Sequence, residues 1–217
     1  MFKTLLIANR GEIAVRIVRA AQDLGIRTVA VFSRDDAGAL HTTLADAAIA
    51  LDATGPAAYL DIAALLEAAR QQGCDAVHPG YGFLSERADF AQAIADAGMV
   101  FIGPTPAQLA LFGDKASARR LAAEQGVPLL PGTGAAGPAE ILAFFMAQRL
   151  LDPQCGVMLK AVAGGGGRGM RAVFDPAMLA EAFTRHLPQT FGGSDLLWIL
   201  LALITAWKIP ESSSNEA

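Results

Sequence analysis

Basic charge is in short supply. Lys and Arg together number 17 against 21 Asp and Glu, a net charge of -4 over 217 residues. That balance offers no general attraction to nucleic acid or to an anionic membrane surface. Cysteine is scarcer still: Cys74 and Cys155 stand alone, with no CxxC pair and no histidine spacing that suits zinc. No metal site is expected from them, and both are expected to pack as small reduced hydrophobes; a bond between them is a question of geometry. Long apolar runs are lacking too. Leu196 to Trp207 is nearly all apolar, yet it falls short of the roughly 18 to 20 residues that cross a bilayer. At the other end Leu5 to Ala8 is interrupted almost at once by Arg10 and Glu12, so neither a signal peptide nor a membrane span is expected, and a cytoplasmic address follows.

What is present is apolar content: 53% hydrophobic residues against 18% charged, with 22 glycines. This composition is that of a globular chain long enough to bury a substantial core. Strand-like and helix-like segments alternate through the first half. Thr4 to Ala8 suits a buried parallel strand, and the following helix places Ile13, Ile17, Ala20, Ala21 and Leu24 at helical spacing before Gly25 stops it. Thr28 to Phe32, Ala76 to His78 and Val100 to Ile102 read as further strands, and Ile62 to Gln71 and Phe90 to Ala97 as helices. The alternation predicts an α/β doubly wound parallel sheet. A second unit is expected from near Pro106. It contains a helix ending at Gly126, a Pro/Gly-punctuated connector over 127–134 and a helix near Pro138 to Leu151. A strand GVMLKAV, a partner strand MRAVF and a helix near Met178 to Arg185 follow.

Between those two strands stand Gly164, Gly165, Gly166, Gly167, Arg168 and Gly169. The letters satisfy GxGxxG, but a dinucleotide fingerprint needs a strand before and a helix after. Here MRAVF is β-like and Asp175-Pro176 blocks a helix. The Walker A pattern fails as well, since no Lys-Ser or Lys-Thr follows the last glycine. Two readings stay open from the residues alone: a solvated surface hairpin, or a hairpin that folds over phosphates with its backbone N–H groups, assisted by Arg168 and by Lys160 on the strand leading in.

Five stretches in order carry a resemblance: IANRGEIAVRIVRAA (Ile7 to Ala21), HPGYGFLSE (His78 to Glu86), FIGPT (Phe101 to Thr105), GDKASAR (Gly113 to Arg119) and KAVAGGGGRGMR (Lys160 to Arg171). Together they resemble the biotin carboxylase family of ATP-grasp enzymes, from Met1 to about Phe183. The resemblance implies a Rossmann-like preATP-grasp domain over 1–112, the start of an ATP-grasp domain with a partial glycine-rich lid over 113–190, and an atypical apolar tail over 191–217. It implies ATP with Mg²⁺ as cofactor, bicarbonate as substrate, and transfer of the carboxyl group from carboxyphosphate to biotin on a biotin carboxyl carrier protein. It also implies a carboxyltransferase as partner and a homodimer through the first domain. Lys115 and Lys160 match the lysines that contact ATP phosphates, and Gly164 to Gly169 with Met170 match the lid that closes over the nucleotide. Without the family, Lys115 reads as a solvated residue at a helix start.

In the same reading His78, Tyr81, Gly80 and Gly82 shape a tight loop at a strand end, Glu86 makes a structural bond, Arg10 and Glu12 fix the turn after the first strand, and Arg16 and Arg19 are solvated or face a dimer partner. The adenine-hinge glutamate, the acidic metal ligands and the catalytic arginines of the family are not found, so no catalytic or metal-binding residue is assigned. Where a Glu-Arg or Glu-Lys pair should follow FGGSDLL, Trp198-Ile199-Leu200 stands instead, and the pattern is lost from Trp198 on. Truncation with an unrelated tail is the expectation. It would leave the hairpin Val157 to Phe174 with no sheet to continue into, its surface either partly covered by the Leu196 to Trp207 run or exposed, and the chain without turnover of its own. The competing expectations are a non-catalytic dimerising or regulatory module of the same family and an NAD-dependent Rossmann enzyme; ANRGEIA offers the latter only one glycine. Carbamoyl-phosphate synthetase and related ATP-grasp enzymes are the nearest family alternatives, and HPGYGFLSE favours biotin carboxylase over them.

Overall fold

The structure, a computed structural model, describes residues 2–134, 136–160, 170–186 and 202–204. It falls into two compact units, Met1–Gly113 and Asp114–Ala217. The first begins with β1 (Thr4–Ile7), α1 (Gly11–Asp23), β2 (Arg27–Phe32), α2 (Leu40–Leu44) and β3 (Ala47–Ala50). It continues through α3 (Ile62–Gln71), β4 (Ala76–His78), α4 (Ala88–Asp96), β5 (Val100–Phe101) and α5 (Pro106–Gly113). The strands form one parallel sheet in the order β3-β2-β1-β4-β5. This is the doubly wound α/β sheet expected from the alternation of elements.

Both faces of β1 are buried, which is why its residues are apolar without alternation. Leu5 and Ile7 join Ala14, Val18 and Ala21 of α1 in one cluster. Leu6 and Ala8 join Val29, Leu65, Phe90 and Ile94 on the opposite face. Phe90 is fully buried and meets Phe101 edge-on, with ring centroids 5.9 Å apart. Such a pair contributes about 1 kcal/mol beyond its area.

Three differences from the sequence reading have local causes. β3 is Ala-Ala-Ile-Ala, too poor in β-branched residues to read as a strand, and it forms by pairing in register with Val29 to Phe32. Pro106–Gly113 packs as α5 against α4 and belongs to the first unit rather than opening the second. Helix α1 is turned from the expected face: Ala14, Val15, Val18 and Ala21 are buried, whereas Leu24 is 65% exposed and Ala20 is exposed. Two apolar stripes share the helical period here, and the smaller side chains occupy the tight contact with the sheet. Gly25 ends the helix with φ +69°, a conformation only glycine adopts without strain.

The second unit contains α6 (Lys115–Glu124), α7 (Pro138–Leu151), β6 (Gly156–Lys160), β7 (Met170–Val173), α8 (Leu179–His186) and β8 (Ala202–Ile204). Its sheet is antiparallel in the order β7-β6-β8. Ile141 and Phe145 of α7 pack with Val157, Leu159, Val173, Leu179 and Ala182 to make its core. The expectation that the hairpin would have no sheet to continue into is overturned. β8 lies inside the apolar run Leu196 to Trp207 and pairs Gly156, Val157 and Met158 with Ile204, Leu203 and Ala202. The apolar run thus supplies a third strand and satisfies backbone groups along β6 that the reading left unpaired.

Candidate nucleotide-phosphate site

Lys115 is the first residue of α6. Asp114 caps that helix, its carboxylate accepting the Ser117 N–H at 3.0 Å. The hydrogen bonds from Ser117 hold the Asp114 carboxyl below the usual range. Lys115 itself is half-buried. A cation at this point shares the helix N-terminus with orphan N–H donors, a combination suited to an anion.

Lys160 ends β6 and pairs directly with Met170, the first residue of β7. The glycine loop expected to cover phosphates, Gly164 to Gly169 with Arg168, lies outside the described residues. Its two flanking strands are described, and they pair antiparallel with Lys160 opposite Met170. Strand followed by antiparallel strand excludes the strand-to-helix turn that a dinucleotide fingerprint requires. Val157 and Leu159 of the same strand are buried in the core of the second unit. The register brings Lys160 and Met170 together and does not include Lys115. Among the described residues, no group of three or more His, Cys, Asp or Glu side chains is placed to hold a metal ion. The described residues therefore do not fit Mg²⁺, and no step is derived through it.

The loop after β4 is built around a residue the sequence reading passed over. Asn9, 2% exposed, follows β1; its Nδ2 donates to the carbonyls of Pro79 at 2.7 Å and Tyr81 at 3.0 Å. Gly80 has φ +68°, and a Cβ there would lie 2.5 Å from Asn9 Nδ2 and 2.9 Å from Ile13 Cγ2. His78 Nδ1 accepts the Gly80 N–H at 3.0 Å, and burial lowers the His78 pKa. In a doubly wound sheet this gap, where the chain switches from β1 to β4, is where ligands enter. Here the Asn9 amide ties the loop after β4 to the end of β1. An Asn directly after a buried strand, facing loop carbonyls in need of donors, was the legible signal.

The remaining expectations divide. Arg10 does secure the turn: its Nε lies 3.1 Å from Asp36 Oδ2, and its guanidinium sits 5.8 Å from the Tyr59 ring centroid. Tyr59 accepts the Ser33 N–H at 3.0 Å and donates to Asp36 at 2.7 Å. Glu12 does not join this network; it pairs at 3.7 Å with Arg16 in solvent. Glu86 is exposed and makes no hydrogen bond or ion pair with another described residue. The turn is held instead by backbone bonds from Ser85 to Gly82 and from Arg87 to Leu84. Arg16 and Arg19 are exposed. Cys74 and Cys155 are both free and buried, and burial raises both thiols, Cys74 to about 11.

Comparison with known proteins gives two family matches. The biotin carboxylase N-terminal domain matches residues 1–109. The ATP-binding domain of the carbamoyl-phosphate synthase L chain matches residues 114–208. The second match runs past Trp198, where the sequence reading lost the family pattern. Biotin carboxylase of Halalkalibacterium halodurans is 48% identical over 184 residues, covering 84% of this chain and 40% of that protein. Mouse mitochondrial pyruvate carboxylase is 48% identical over 185 residues, covering 84% of this chain and 15% of that protein. Among solved structures, the biotin carboxylase domain of a single-chain bacterial carboxylase is 47% identical with a TM-score of 0.78, covering 94% of this chain and 41% of that one. The Campylobacter jejuni biotin carboxylase in complex with βγ-ATP is 35% identical with a TM-score of 0.85, covering 93% and 45%. The chain thus spans about 40% of the length of the curated biotin carboxylases it matches. With its parallel first unit, its antiparallel hairpin unit and these matches along nearly the whole sequence, the chain belongs to the biotin carboxylase family.

Proposed function

We propose that this chain is the N-terminal part of an ATP-dependent biotin carboxylase and that it binds the phosphates of ATP through Lys115, Lys160 and the loop Gly164 to Gly169, with Arg168 and Met170. The observation that carries the reading is the β6–β7 register, which pairs the two strands flanking the glycine-rich segment antiparallel, with Lys160 opposite Met170. Two lysines supply the positive charge that a polyphosphate requires, and glycine N–H groups approach it without side-chain obstruction. A hairpin tip of this composition suits a lid, since closing over the nucleotide excludes water from a labile phosphorylated intermediate. A neighbouring 2-oxoglutarate carboxylase domain, 37% identical, was solved as a dimer with MgADP, ADP and bicarbonate, and this supports the same substrates here.

In the proposed reaction bicarbonate oxygen attacks the γ-phosphorus of ATP and ADP leaves; the carboxyphosphate formed gives its carboxyl group to N1 of biotin on a carrier protein, releasing phosphate, which takes up the N1 proton. A carboxyltransferase then uses the product. Residues 1–112 form the preATP-grasp domain and carry a homodimer contact, and the ATP-grasp domain begins at 113 and includes β8. No helix among the described residues is long and apolar enough to cross a membrane. In this reading the chain alone turns over no ATP: the transferring phosphoryl group needs a metal held by carboxylates, and the resemblance assigns none here.

Calorimetric titration of ATP into the purified chain tests the binding half. Lys115→Ala and Lys160→Ala should each weaken binding by roughly ten-fold or more, the loss of one charge-assisted contact. Equal affinity in wild type and both variants refutes the assignment.

A further inference from the structure

Helix α7 is apolar on two sides. Ile141 and Phe145 face the core of the second unit. The other side carries Ala139, Leu142, Ala143, Met146, Ala147 and Leu150, all exposed, Leu150 by 87%. No charged residue interrupts this strip; Glu140 and Arg149 flank it near its two ends. A helix apolar all round is ordinarily covered on every side. Ala139, Ala143, Met146 and Leu150 also follow the four-three-four spacing by which two helices pair along a seam.

The strip fits a second copy of itself. In the antiparallel register that sets Ala139 opposite the partner's Leu150, Leu142 falls opposite the partner's Ala147 and Ala143 opposite the partner's Met146. A large side chain meets a small one at every step, as knobs require of holes. The same register sets Glu140 opposite the partner's Arg149. The Glu140 side chain is exposed and makes no hydrogen bond or ion pair with another described residue. Arg149 is fixed beside the strip: one Nη donates to the Phe174 carbonyl at 2.6 Å, and the guanidinium lies 5.5 Å from the Phe145 ring centroid. That group has further N–H donors to offer. Antiparallel packing also brings the positive end of each helix beside the negative end of the other. A two-fold contact demands a surface complementary to itself, and this one is so in both size and charge.

We propose that α7 pairs antiparallel with α7 of a second copy of this chain, Ala139, Ala143 and Ala147 receiving the partner's Leu150, Met146 and Leu142. Glu140 and the partner's Arg149 fix the direction and the register. The contact lies on the second unit, is distinct from the first-unit dimer contact proposed above, and does not rest on the assignment of Lys115 and Lys160.

A contact one helix long is at the small end of specific interfaces, so sedimentation velocity on the full chain over roughly 1–100 µM is the range that reads it. Glu140→Arg should weaken self-association by roughly ten-fold or more, because it sets like charges together twice across the two-fold. Arg149→Glu should do the same, and an equimolar mixture of the two variants should associate as tightly as wild type. Ala143→Met and Met146→Ala form a second pair. Each should weaken its own association, by overpacking or by a gap, and their mixture should restore it. Circular dichroism follows the fold of each variant. The second pair decides the matter if Arg149→Glu, which also loses the bond to Phe174, does not fold. Association through the first unit is common to all these variants and leaves their differences unchanged. A wild-type chain that does not self-associate in this range overturns the proposal. So do variants that associate like wild type, or mixtures that associate no better than either variant alone.

Discussion

Replacing Gly80 by Ala probes the joint on which the first unit turns from β1 to β4. Two costs add. The backbone has φ +68°, and an L-residue held there loses about 1–2 kcal/mol. The new Cβ would also stand 2.5 Å from Asn9 Nδ2, 2.8 Å from Asn9 Cγ and 2.9 Å from Ile13 Cγ2, an overpacking that costs about 1–3 kcal/mol. The expected destabilisation is therefore about 2–5 kcal/mol. Gly82 separates the two contributions, for it has φ +70° and no heavy atom within 4 Å of its Cβ position. Gly82→Ala should lose only the backbone share, about 1–2 kcal/mol. Both variants gain the same small stabilisation from a stiffer unfolded chain, which cancels in the comparison. Urea-dependent hydrogen exchange of the β1 and β2 amides reports the first unit separately from the second. Asn9→Ala removes the nearest clash together with three hydrogen bonds, so its combination with Gly80→Ala should cost less than the sum. Equal losses for Gly80→Ala and Gly82→Ala, or strict additivity in the double variant, would refute the reasoning that Asn9 packs tightly against Gly80.

Other expectations follow from the same packing. His41 is fully buried, its Nε2 is 3.3 Å from the Val31 carbonyl and its Nδ1 has no partner; burial lowers its pKa, opposed by Asp36 and aided by Arg10. Because the unfolded chain then binds the proton more tightly, stability should be complete above about pH 6.5 and decline below it. His41→Leu should flatten that part of a urea-midpoint profile against pH, with His78 the remaining buried contributor. Tyr59→Phe strips a partner from the buried Ser33 N–H and should cost about 1–3 kcal/mol by chemical denaturation. Neither thiol should react with a disulfide reagent at pH 8 in the native state, since Cys74 is 7% exposed and raised to about 11 and Cys155 is fully buried; labelling should track unfolding. Phe145→Ala, in the core of the second unit, should destabilise that unit by about 3–5 kcal/mol in the same exchange experiment.

What the sequence made legible was whatever has a period or a punctuation mark. β1 and β2 were visible as apolar runs buried on both faces, Gly25 and Gly126 as helix stops, and the β6–β7 hairpin as two strands on either side of glycines. What escaped depended on partners distant in the chain. The alanines of β3 become a strand only beside Val29 to Phe32. The buried face of α1 could not be chosen between two stripes without knowing that the sheet needs small residues there. Asn9 looked like one letter of a motif, and its role as a tie appears only when Gly80 arrives beside it. At the candidate site, the residue types of Lys115 and Lys160 were readable, whereas the pairing of Lys160 with Met170 required the register. The third strand, Ala202–Ile204, lay in a stretch whose uniform apolarity carries no period at all.

The proposed function joins ATP-phosphate binding through Lys115, Lys160 and the loop Gly164 to Gly169 with no turnover by this chain. Bicarbonate-dependent release of ADP from ATP, measured on the purified chain with free biotin and Mg²⁺ present, tests it most directly. The account predicts ATP binding that depends on Lys115 and Lys160, with ADP release no faster than in protein-free buffer. Turnover that requires bicarbonate and is lost on Lys160→Ala would contradict it.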